Sequence, residues 1–247
     1  MSKVLSLTIL ACLALVAGCA TRSISDSGYD SGGHYGRTSN AFYRGELSEF
    51  DVLGIDRGAK PSDGDIDRAL STRQPLSLKR GSTIMLIQSG ALMPDDPMIK
   101  AFEKYYSIVS FTGIPTERAK SSSPDESAEG YSRSLRLAAA RSGCEKIVVY
   151  WGMLESAREN LATSAVSWIP VVGWLLPDER QRMRIRLKMV LVDVRTGQWE
   201  MYSPEPLDDR SFSNVIGRRD TDQTLVATLK ERAYVSAADD LLKRFGR

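Results

Sequence analysis

Residues 181–194 read QRMRIRLKMVLVDV, and this stretch decides what kind of domain the chain builds. Counting back one residue, Arg180, Arg182, Arg184, Arg186 and Lys188 occupy the even positions, while Gln181, Met183, Ile185, Leu187 and Met189 occupy the odd ones. Successive side chains of a strand point to opposite faces, so the alternation puts five cations on one face and continuous hydrocarbon on the other. From Val190 to Val192 both faces turn apolar, so this long strand begins at a surface and ends inside a core. "DVRTGQW" follows as a tight turn, with Thr196-Gly197 at its centre, leading into a strand over 198–202.

Upstream, Ile147 to Leu154 (IVVYWGML) is apolar on both sides and reads as a central strand. Its extension, 150–161, carries Glu155 and Glu159. If it pairs antiparallel with the cation strand, those acids neutralise part of the ladder, and any cations left over form an anion-facing strip. Between the two strands lies VSWIPVVGWLL, residues 166–176. It is too short, and too broken by Pro170 and Gly173, to span a bilayer as a helix. Three readings stay open for this hairpin tip and the surrounding loop, 163–180. It folds back onto the core, it docks on a membrane or partner, or it packs on a second copy. In the last two, Trp168, Ile169, Val171, Val172, Trp174 and Leu175 do the touching.

Outward from this hairpin the chain alternates. Residues 62–70 read as a capped helix and 83–88 (TIMLIQ) as a strand. Residues 97–106 read as a helix with Pro97 in its first turn, and 107–112 as a strand. A helix over 124–142 carries Tyr131, Leu135, Ala138 and Ala139, with Gly143 as its C-cap. A last helix over 220–245 repeats Leu225, Leu229, Ala233, Ala237 and Leu241 at helical spacing. The expected fold is an α/β (α+β) sandwich: a mixed sheet covered by helices, with a long β-hairpin carrying an apolar tip.

The N-terminus sets the address. Lys3 precedes the apolar run Val4 to Val16, and "VAGC" places Cys19 directly after Ala17 and Gly18. The run has signal-peptide length, and VAGC resembles a bacterial lipobox. That resemblance implies removal of residues 1–18, acylation of Cys19, and attachment to a membrane through the acyl chains, palmitate among them, without a transmembrane helix. Ala20 in place of Asp implies sorting to the outer membrane, with the domain facing the periplasm. Residues 20–45, rich in Ser and Gly, read as part of a flexible tether spanning 19–48. About 25 such residues reach roughly 25–30 Å. The single globular domain is then 49–247.

Composition narrows the function. Lys and Arg number 33 against 31 Asp and Glu, and losing the leader removes Lys3 alone, so no global field attracts nucleic acid. The one histidine, His34, falls in the tether segment, and GxSxG, HExxH, CxxC and P-loop patterns are all missing. Once Cys12 is cleaved off and Cys19 acylated, only Cys144 remains, so no disulfide is expected, and Cys144 reads as a small buried hydrophobe. No catalytic residue, metal site or cofactor is expected.

The lipobox, "STIMLIQSG", "LAAARSGCEKIVVYW" and "MVLVDVRTGQW" together resemble a group of periplasmic lipoproteins. The group includes the curli secretion lipoprotein, the penicillin-binding-protein activators and the N-terminal domain of the Tol-system β-propeller protein. Within it, the chain is most similar to the rhombotarget lipoproteins. Their C-terminal sorting tail has no counterpart in the closing "LLKRFGR", so processing by a rhomboid-like sortase is not expected. The resemblance implies a non-enzymatic lipoprotein that acts by protein contacts, self-association or assembly in the cell envelope. The alternative is a binding module for an anionic envelope polymer or lipid headgroup, working through Arg180–Lys188.

Overall fold

The computed structural model describes residues 22–27, 42–115, 128–159, 166–170, 181–208 and 222–247. Among these residues there are eight strands: β1 (Arg22–Ser23), β2 (Thr83–Gln88), β3 (Ser107–Phe111), β4 (Lys146–Glu159), β5 (Val166–Pro170), β6 (Gln181–Asp193), β7 (Trp199–Tyr202) and β8 (Leu207–Asp208). They form one mixed sheet whose main path runs β3-β2-β4-β6-β7. β3, β2 and β4 are parallel to one another, whereas β6 is antiparallel to both of its neighbours, β4 and β7. The expected α/β sandwich with a mixed sheet is therefore the observed fold.

The hydrophobic pattern explains the layers. α3 (Asp96–Glu103) and α5 (Asp222–Phe245) cover one face. There Leu86, Met98, Phe102, Tyr150, Ile185, Leu187, Met189, Leu229, Ala237 and Leu241 share a core. α1 (Glu49–Leu53) and α4 (Ala128–Arg141) lie on the other, over Met85, Ile87, Ile147, Val149, Val190 and Val192. Each apolar-on-both-faces run feeds both cores, as its composition demands. Leu135 and Ala139 of α4 are buried as the helical spacing predicts, and Cys144 is buried beside them. α2 (Asp63–Thr72) starts with a capping box, in which Ser62 Oγ accepts from the Asp65 amide and Asp65 Oδ2 accepts from the Ser62 amide. It buries none of its own residues. Gly197, at φ 74°, makes the turn from β6 to β7 in the left-handed region.

Two expectations change. Arg22–Ser27 belongs to the domain, not to a tether. β1 pairs antiparallel with Met153 and Leu154, and Ile24 is only 3% exposed in the larger core. Residues 42–48 also lie on the domain, where the Leu47 amide donates to Ser89 Oγ (2.7 Å) and Trp151 Nε1 donates to the Leu47 carbonyl (2.9 Å). A stretch poor in aliphatics still docks when hydroxyls and backbone groups supply the contacts and one isoleucine fills a hole. The second change concerns Val166–Pro170, expected within the tip loop. It is strand β5, paired with Glu155–Glu159 of β4, and its Val, Trp and Ile suit a pleated ribbon.

Candidate functional site: the groove beside the cation strand

In β6 the alternation is realised where side chains are described. Met183, Ile185, Leu187 and Met189 are all buried, and Arg184, Arg186 and Lys188 lie on the opposite face. Arg182 sits at the register position opposite Ala157. Arg180 and the tip residues Val171, Val172, Trp174 and Leu175 lie outside the described residues, as does Cys19. Trp168 and Ile169 are placed by their backbone only, opposite Ala157 and Ser156.

The three β6 cations whose side chains are described face acids. Register brings Glu155 opposite Arg184, and Arg184 Nε donates to Glu155 Oε2. Arg186 Nη2 stands 3.5 Å from the same oxygen. Lys188 Nζ reaches Glu49 Oε1 of α1 at 2.6 Å. Glu155 is the acid that the antiparallel pairing predicts. Glu49 comes from 139 residues upstream and carries no sequence signal.

On this face the helices stop short. α1 and α4 cover Val190 and Val192, and the next three outward positions of β6 are Lys188, Arg186 and Arg184. A groove of about 730 Å³ opens there. Trp151 and Met153 of β4 line it, and they stand in register with Lys188 and Arg186. Tyr43 and Leu47 contribute from the 42–48 segment, Phe50 from α1, and Arg57 from the turn after it. The Arg57 guanidinium stacks 4.3 Å over the half-exposed Phe50 ring, a contact that holds both side chains at the rim.

Glu46 also lines the groove. Burial raises its carboxyl above the usual range, and the hydroxyls of Ser23, Ser89 and Tyr43 offset part of that rise. Tyr43 donates to Oε1 at 3.3 Å, and Oε2 is buried with no hydrogen-bond partner. Burial and the nearby Glu46 carboxyl push the Tyr43 phenol up to about 12.

Beneath Arg22–Ser27 lies a second polar cluster, and it is filled. Gln88 Nε2 donates to Ser25 Oγ (3.0 Å), and the Asp95 amide donates to Gln88 Oε1 (2.8 Å). Lys230 Nζ bridges Asp95 Oδ2 (3.0 Å) and the Ile24 carbonyl (3.2 Å), and Tyr234 also donates to Asp95 Oδ2. Burial drives the Tyr150 and Tyr234 phenols well above their usual value, so both stay protonated as donors. Ser25 closes the cluster by donating to the Ser89 carbonyl at 2.6 Å. Such satisfied buried networks fix one arrangement of the chain, here the seat of the N-terminal segment. Gly152 completes that seat. A Cβ at this position would lie 2.3 Å from Ile24 Cδ1, so any larger residue would force the isoleucine to shift from its seat.

Among the described residues no group of His, Cys, Asp and Glu could hold a metal ion, and no helix is long and apolar enough to cross a membrane. The domain is thus a mixed-sheet α/β sandwich with a charge-matched groove beside its cation strand. Residues 48–244 match the family model for the YafT bacterial lipoprotein, and the chain belongs to that family. No curated protein matches it.

Proposed function

We propose that this is a non-enzymatic lipoprotein, acylated at Cys19 and sorted to the periplasmic face of the outer membrane, that works by contact with another envelope protein. The finer likeness to rhombotarget and assembly lipoproteins belongs to this reading, as does removal of residues 1–18. The groove beside β6 carries the proposal. Its floor and rim combine Trp151, Phe50, Tyr43 and Met153 with cations that already face acids. Aromatic side chains backed by neutralised charge favour a partner's polypeptide segment over a polyanion, which needs surplus cations. α2 adds a second contact candidate, since its Ile66 and Leu70 are 53% and 68% exposed on successive turns.

Pull-down of envelope proteins with the acylated chain tests the groove. Phe50→Ala with Arg57→Ala removes the stacked rim pair without touching a buried residue. The partner is expected to be lost while the melting temperature stays within a few degrees. Unchanged capture would place the contact elsewhere. The alternative, an anionic polymer bound through the cation strand, predicts retention on peptidoglycan or lipopolysaccharide that weakens steeply with salt.

A further inference from the structure

The anchor and the domain are held much closer than a tether of 30 residues would hold them. β1 begins at Arg22, so three Cα–Cα steps, about 11 Å at full extension, separate Cys19 from the sheet. Headgroup layers are themselves about 5–8 Å deep, so an acylated Cys19 keeps β1 within reach of the bilayer surface.

Direction adds to distance. β1 is antiparallel to β4, so from Ser23 back to Arg22, the end nearer the anchor, it runs the way β4 runs from Met153 to Leu154. β4 continues five residues past Leu154 in that direction, about 17 Å at strand rise, flanked by β5 and the start of β6. The arm is longer than the leash. An anchor that pulls β1 to the headgroups therefore brings the arm down with it.

The residues placed on the arm fit such a setting. Arg158 pairs with Ser167 on one side and Gln181 on the other, and Ala157 stands between Trp168 and Arg182. Tryptophan and arginine are favoured where hydrocarbon meets anionic headgroups. We infer that the β4–β5–β6 arm rests against the lipid surface, so that the domain lies on the membrane with the β6–β7 turn as its distal end. This rests on acylation of Cys19 in the reading above.

The test uses the full acylated chain in vesicles of phosphatidylethanolamine and phosphatidylglycerol that carry nitroxide lipid. A fluorophore is attached through Ser167→Cys on the arm or through Arg195→Cys in the β6–β7 turn. Cys144 is buried and stays unlabelled in the folded chain. Lipid quenching is expected to be at least about threefold stronger at position 167, given the shallow interfacial layer. Arg158→Cys gives an independent arm position should the first variant fold poorly. The intact mass of the same sample reports acylation. Equal quenching at arm and turn in an acylated chain overturns the orientation and leaves the anchor standing. A bare Cys19 removes the anchor, and the inference falls with it.

Discussion

Ile24→Ala probes the seating of the N-terminal segment. Ile24 is 3% exposed, packed in the core that joins α3, α5 and the sheet. Truncation to alanine removes three carbons, about 2–3 kcal/mol of transfer free energy at ~0.8 kcal/mol per carbon. Relaxation into the hole is poor, because its floor is Gly152, which has no side chain to move in. With the residual cavity the expected cost is about 3–4 kcal/mol, within the range for such core truncations. For a domain of this size that lowers the melting temperature by roughly 6–16 °C. Gly152→Ala forces the same contact from the other side and is expected to cost about 1–3 kcal/mol by overpacking. In the double variant the shortened side chain leaves room for the new methyl, so the two costs should fall short of their sum by about 1 kcal/mol or more. Urea unfolding of the four proteins, with m-values compared, measures all three quantities. A cost under about 0.5 kcal/mol for Ile24→Ala, the level of an idle surface position, would mean that Arg22–Ser27 is a tether after all.

Glu46→Gln keeps the shape of a buried carboxyl and removes its charge. Because the folded pKa is raised, the native acid is penalised as pH rises through that pKa, and the penalty vanishes below the unfolded value of about 4.3. The variant should melt higher than wild type at pH 8 and equal to it at pH 3.5, and a gain that persists at low pH would assign the effect to packing. Asp193 behaves in the opposite sense. Burial works against its charge, but Lys146 and the Thr196 amide and hydroxyl outweigh it, so its pKa is lowered and its stabilisation is lost as pH falls below about 4. Asp193→Asn should therefore weaken the β6–β7 turn at pH 7 and cost little at pH 2.5, read from thermal melts. Glu155→Gln leaves Arg184 and Arg186 facing a neutral amide at a mostly buried position, and urea unfolding should show a loss of about 1–3 kcal/mol.

The sheet was legible where the hydrophobic pattern was strict. "TIMLIQ" and the alternation of 181–189 can only be strands, and both appear within a residue or two of the expected ends. Helix α5 announced itself by Leu229, Ala233, Ala237 and Leu241, all buried. The N-terminal segment was not legible, because the Ser25 hydroxyl holds it, donating to the Ser89 carbonyl and accepting from Gln88 Nε2, and serine-rich sequence looks the same whether or not it has partners. One signal was available: Gly152 interrupts an otherwise bulky central strand, and a glycine there marks a close approach by another chain segment. The cation strand showed its face but not its balance. Glu155 followed from strand pairing, whereas Glu49 reaches Lys188 only through the placement of α1. The groove depends on where α1 and α4 are placed over the sheet, which no local pattern specifies.

Acylation of Cys19 is the premise of the proposed function, and the intact mass of the chain extracted from membranes tests it directly. It predicts a polypeptide beginning at residue 19 and carrying the added mass of a diacylglyceryl group on the thiol and an acyl chain on the new amine. A chain that retains residues 1–18, or one that begins elsewhere with an unmodified Cys19, would contradict it.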